Sequence, residues 1–164
     1  MDNPPIRSET VQVAAKFSAL ASLLGPLTRP PPVACVAVDA NTLLRAQTAV
    51  EELFANSVHH GYGGESEQPV WLTVESRGVV LHVIYADAAA AFDPFASLQA
   101  LTDLDEISIA ARRVGGLGRL LVRELADRCV YRYCDGRNVT ELEFHPRAPS
   151  QSLSRSPSSP QSRP

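Results

Sequence analysis

"EELFANSVHHGY", residues 51–62, is the stretch on which the fold turns. It begins as a helix, sets Glu52 and Asn56 one turn apart, and leaves through two histidines and a glycine. On a wheel of 100° per residue, Leu43, Ala46, Val50, Leu53, Phe54 and Ser57 gather on one side. Arg45, Glu52, Asn56 and His59 fall roughly opposite. The pattern predicts a helix over residues 41–59, capped by Asp39 or Asn41. By spacing alone its polar side is an ordinary solvated face. Asn56 fits that reading least, because asparagine competes with the helix backbone for hydrogen bonds.

Working outward, "VWLTVESRGVVLHVIYAD" reads as two β-branched runs around Ser76-Arg77-Gly78, a hairpin. "CVYRYCDGRNVTELEF" reads as a second hairpin around Asp135-Gly136. Its last strand alternates Thr140, Leu142 and Phe144 with Glu141 and Glu143, so one face is buried and the other is wet. Between the hairpins, residues 88–114 read as irregular, and "LGRLLVRELADR" places Leu117, Leu120, Leu121 and Leu125 on one helical face. At the other end, Val13, Phe17, Leu20 and Leu24 recur at helical spacings and predict a first helix over residues 10–24, which "GPLTRPPP" ends. "VACVAV" fits either a short strand or an extended connection. The order is helix, helix, hairpin, loop, helix, hairpin. This predicts an α+β two-layer sandwich: a mostly antiparallel sheet with helices on one face.

A chain of 164 residues with 45% hydrophobic content can bury one sizeable core. Residues 1–9 read as a leader, 10–145 as the domain, and the Ser/Pro-rich 146–164 as a disordered tail. A net charge of −3 without a basic block argues against a general nucleic-acid binder. Three cysteines, Cys35, Cys129 and Cys134, form no CxxC pair and read as reduced thiols. With no signal peptide and no apolar run of membrane length, the expectation is a soluble, cytoplasmic protein.

The helix at 51–62 resembles the N-box of the GHKL (Bergerat-fold) ATPases, most closely that of the bacterial anti-sigma-factor serine/threonine kinases. Glu52, Asn56, His60, Gly61 and Tyr62 match it position by position. The family's Asp-x-Gly-x-x-Phe-Asp-Pro falls on "DAAAAFDP", residues 87–94, and its Gly-Gly-Leu-Gly on residues 115–118. Three boxes in order, over roughly residues 10–145, make the resemblance specific.

The resemblance implies a kinase that binds ATP and Mg²⁺. Glu52 would serve as the base, Asn56 as the Mg²⁺ ligand and Asp87 as the adenine reader. Gly115, Gly116, Leu117 and Gly118 would form the phosphate cradle. Its partners would be a sigma factor and an antagonist protein phosphorylated on serine, and its state a homodimer. Each role is chemically sound. An amide oxygen suits a hard cation, a carboxylate can take a hydroxyl's proton, and free N–H groups before a helix face phosphate. Arg112 and Arg113 either help to hold phosphate or belong to a solvated loop. Without a matched partner, His59 and His60 read as surface or packing residues rather than metal ligands.

The chain departs from the family at Ala89, which stands where the second box has glycine. At positive φ, alanine costs on the order of 1 kcal/mol, about fivefold in affinity. A methyl pointing into the adenine site would cost far more. A binding module of the same fold, acting by contact alone, is therefore the alternative to a kinase. Slow ATP hydrolysis ranks third.

Overall fold

The computed structural model describes residues 7–28, 38–77, 79–96 and 116–147. Five strands form one sheet in the order β1-β2-β3-β5-β4, with every neighbouring pair antiparallel. They are β1 (Arg7–Ala14), β2 (Pro69–Arg77), β3 (Val80–Asp87), β4 (Arg128–Cys134) and β5 (Arg137–Phe144). The helices are two single turns, α1 (Leu20–Leu23) and α2 (Gly25–Thr28), then α3 (Ala40–Asn56) and α4 (Gly116–Leu125). Val70, Leu72, Leu81, Val83, Leu142 and Phe144 line the inner face of the sheet and bury against Ala46, Val50, Leu53 and Phe54 of α3. The α+β reading holds. Among the described residues, no helix is long and apolar enough to cross a membrane.

Both hairpins form as the sequence indicates. The second turns through Asp135 at φ 51° and Gly136 at φ 72°, the pair of positive angles that suits the twist of the flanking strands. Asp39 is the cap of α3: its carboxylate accepts from the Thr42 amide at 2.9 Å and the Thr42 hydroxyl at 2.7 Å. Residues 33–37 and 97–115, which include Arg112, Arg113 and Gly115, lie outside the described residues, as do Cys35 and the tail beyond Arg147. Burial pushes the Cys129 thiol up to about 12, so it is an unreactive packing group at neutral pH.

Three readings need correction. The helix expected over 10–24 is a strand first: Val11, Val13 and Ala15 alternate with the polar Thr10, Gln12 and Lys16, a period of two. The helical spacing was an accident of Val13 sitting on a strand and Leu20 and Leu24 on the turns that follow. In α4, Val122 is fully buried while Leu121 is 38% exposed, which rotates the packed face from the one expected. The largest correction is Arg45. Assigned to a solvated face, it is 5% exposed, because α4 packs across that side of α3.

Arg45 is a staple between three elements. It donates to the Leu125 carbonyl at 2.9 Å, to Asp127 at 3.2 Å and to the His145 carbonyl, with Phe144 below its guanidinium at 5.7 Å. The Leu125 carbonyl is one of the orphan acceptors at the end of α4, so Arg45 supplies what that helix lacks. Partial burial works to raise the Asp127 carboxyl. The His145 amide and the Arg45 and Arg147 guanidiniums outweigh it and leave the pKa below its ordinary value. Stability from Asp127 is thus present above an ordinary carboxyl pKa of about 3.9 and lost as pH falls through the lower folded value. Asp127 is partly open to solvent, so what truncating the buried Arg45 costs is chiefly its hydrogen bonds to the Leu125 and His145 carbonyls, roughly 1–3 kcal/mol. Arg45→Ala should lose that much in chemical denaturation at pH 7, and the deficit should narrow below about pH 4 as Asp127 protonates in the parent too. A deficit independent of pH would show that the ion pair carries none of it.

Candidate active site

After Asn56 the chain widens into one π-type turn, Ser57–Gly61, a local distortion frequent at functional sites. The turn swings Ser57 under the sheet and brings Gly61 beside the end of β3. A cavity of about 440 Å³ opens there, a size suited to a small-molecule ligand. Its polar walls include Asn56, His60, Asp87, Arg119, Asn138 and Thr140, and Ala89, Ala90, Ala91 and Phe92 form an apolar side.

Asp87 ends β3, directly opposite Asn138 on β5, and is 7% exposed. Its Oδ1 accepts from the Asn138 amide at 2.8 Å and the Ala89 N–H at 3.0 Å, and its Oδ2 from the Ser57 hydroxyl at 2.5 Å. Ser57 in turn accepts from the buried Tyr85 hydroxyl at 2.8 Å. Burial holds the Tyr85 phenol well above its ordinary pKa, so it stays protonated and the chain of donors runs one way, from Tyr85 through Ser57 to Asp87. With two acceptor sites per carboxylate oxygen, Oδ1 is filled and Oδ2 keeps one vacancy.

Asn138 pins the segment after β3. Its amide donates to the Ala89 carbonyl at 3.2 Å and the Ala90 carbonyl at 3.1 Å, and its oxygen accepts from the Phe92 N–H at 3.0 Å and the Tyr131 hydroxyl at 2.7 Å. The Tyr62 hydroxyl accepts from the Ala88 N–H at 2.7 Å and donates to the Pro69 carbonyl at 2.9 Å, tying the same segment to β2. Sequence reasoning missed Ser57 as a site residue, and missed Tyr85 and Asn138 altogether. The signal for Asn138 was present: pairing the two hairpins places it across from Asp87.

The sequence-derived site residues are partly gathered. Asn56, Asp87 and Ala89 line the cavity. The Asn56 amide is uncommitted: its buried nitrogen has no hydrogen-bond partner among the described residues, and rotating the amide presents its oxygen instead. Glu52 is half-buried and outside the cavity lining, with its carboxylate against Gly118. A Cβ built on Gly118 would stand 2.1 Å from Oε2. Glycine at 118 is what gives that carboxylate room. Gly116 and Leu117 open α4, and nothing further is described of their surroundings.

The model of the histidine kinase-like ATPase domain matches residues 14–144. The chain belongs to that family. No curated protein sequence matches this ATPase domain. Among solved structures, it is similar to one described as the RsbU and RsbW domains of Rv1364c from Mycobacterium tuberculosis. The TM-score is 0.54 at 12% identity, over 85% of this chain and 32% of that one, a likeness of fold.

Ala89 resolves differently from either cost expected of it. Asp135 is the one described non-glycine residue at positive φ, so the Ala89 backbone carries no such strain. Its methyl packs toward Gly61, where a built Cβ would lie 2.9 Å away. The extra methyl at 89 thus sits in space that a glycine at 61 leaves open. Overpacking of this kind costs roughly 1–3 kcal/mol. Gly61→Ala should destabilise the domain by that amount, and adding Ala89→Gly should recover most of it in a double-mutant cycle read by thermal or urea unfolding. Additive costs would mean that the two positions do not touch.

Proposed function

We propose that this ATPase domain binds ATP with Mg²⁺ and phosphorylates a serine of a protein antagonist, an anti-sigma-factor-like serine/threonine kinase that regulates transcription through a sigma factor. The observation that carries the nucleotide reading is the single vacancy on Asp87 Oδ2, held in place by Ser57, Asn138 and the Ala89 N–H. An adenine amino group can donate to it; the carbonyl oxygen of guanine at the same place would meet a carboxylate oxygen and be repelled. The carboxylate is fixed before any ligand arrives, so binding pays little to order it.

Asn56 is the residue that would hold Mg²⁺, which when bound would neutralise phosphate charge. In the transfer, the serine oxygen forms a bond to the γ-phosphorus, the bond to the β-bridging oxygen breaks, ADP leaves, and the serine proton passes to Glu52. The half-buried Glu52 sits where α3 meets Gly118, close to the phosphate end of this reading. Homodimerisation is part of the same proposal. One observation favours the contact-only alternative: the Glu52 carboxylate is turned to Gly118 rather than lining the cavity. In that reading the domain regulates its partner by contact and no phosphoryl group moves.

Two measurements separate the parts. In Asp87→Asn, the amide oxygen can still accept from Asn138 and Ala89, and an N–H replaces the vacancy facing the base. ATP affinity by calorimetry should fall roughly 10- to 100-fold, and the unfolding midpoint should drop as well, because the Ser57 hydroxyl loses its acceptor. Unaltered ATP affinity would remove Asp87 as the adenine reader. Glu52→Gln should leave ATP affinity intact and slow phosphoserine formation on the antagonist about 100-fold or more. Undiminished transfer would eliminate Glu52 as the base, and no transfer by the parent protein despite ATP binding would establish the contact-only module.

A further inference from the structure

Arg119 breaks two local rules at once. It lies in the first turn of α4, where the helix dipole disfavours a cation, and that turn holds no acidic residue. Its Nε is buried with no hydrogen-bond partner, and it makes no ion pair among the described residues. Its one described partner is the ring of Phe92, 5.8 Å below the guanidinium. Phe92 is itself 55% exposed on the segment that follows β3. A half-buried arginine with no acid paired to it among the described residues and an adverse dipole is costly for the fold alone. Local conflicts of this kind mark positions kept for a ligand.

The position says which ligand. Arg119 and Asp87 both line the cavity, so the wall carries a committed carboxylate and an uncommitted guanidinium. The other ionisable groups facing it are His60 and the phenols of Tyr85 and Tyr131, none of them an anion at neutral pH. A ligand that satisfies both charged groups offers a hydrogen-bond donor to Asp87 and an anion to Arg119. A planar five-donor fork is matched by phosphate oxygens.

Resting on the nucleotide reading above, we infer that Arg119 is the residue that grips the polyphosphate, and that it exchanges the Phe92 ring for phosphate when the nucleotide enters. Empty, the arginine tethers the segment after β3 to α4. Loaded, it leaves Phe92 for the ligand.

The experiment compares ATP and adenosine binding by calorimetry in the full chain and in Arg119→Gln, Arg119→Lys and Phe92→Leu. Arg119→Gln should weaken ATP roughly 10- to 100-fold, the range for a charge-assisted contact, and leave adenosine within about twofold, which also shows that the variant is folded. Arg119→Lys keeps the charge without the fork and should fall between. Phe92→Leu removes the competing ring. The ratio of ATP to adenosine affinity should rise about two- to fivefold, and not at all in the Arg119→Gln background. A merely structural arginine would shift both ligands alike. Equal ATP affinity in the parent and Arg119→Gln overturns the inference and leaves the adenine reading standing. Failure of the parent to bind either ligand overturns both.

Discussion

The polar stripe of α3 is the constraint on which the rest depends. Arg45, Glu52 and Asn56 lie along one side of that helix, and α4 is laid over it rather than solvent. At one end Arg45 fastens the last carbonyl of α4 and the start of the second hairpin. Further along, Glu52 fits against Gly118, where a side chain would displace its carboxylate from this position. Beyond it, Asn56 opens onto the cavity. Structural fastening and candidate chemistry thus share one helix face.

The second organising element is the pair Asp87 and Asn138. They are cross-strand neighbours on the inner face of the sheet, at the end where the helices leave room. Asn138 spends its amide on Asp87 and on the carbonyls of Ala89 and Ala90, so the segment after β3 is shaped by β5. Ser57 and Tyr85 complete the shell from below. A buried carboxylate without such partners would take up a proton or cost several kcal/mol. With them it is fixed in direction and keeps one acceptor site.

Ala89 shows how a departure from a family pattern is absorbed. The glycine that the family places there is needed for space or for backbone freedom. In this chain the backbone is ordinary and the space is found at Gly61. The cavity is bordered by three alanine methyls and remains open. Residues 61 and 89 are a coupled pair, and neither can be judged from its own neighbours in sequence.

Much of the fold was legible. Both hairpins, the presence of α3 with Asp39 as one of two candidate caps, most of its buried face and the layered α+β arrangement follow from periodicity and turn chemistry, which act over a few residues. The first strand was not, since helical and strand periods cannot be told apart when the sampled residues span a turn. Of the residues lining the candidate site, Asn56 and Asp87 were legible through the boxes that carry them, but Ser57, Tyr85, Asn138 and Arg119 were not. Their roles arise from contacts 28 to 51 residues apart for the Asp87 shell.

Sequence by itself determined which segments are strands and helices in most of the chain, and which acid and amide are candidates for chemistry. Tertiary structure decided that Arg45 is buried, that Glu52 faces Gly118, that the Ala89 methyl has a place to go, and that Arg119 has no acid paired to it among the described residues. The reason is physical. Local propensity is set by a residue and its near neighbours, whereas burial, charge pairing and free volume are properties of surfaces that meet only when the chain has closed.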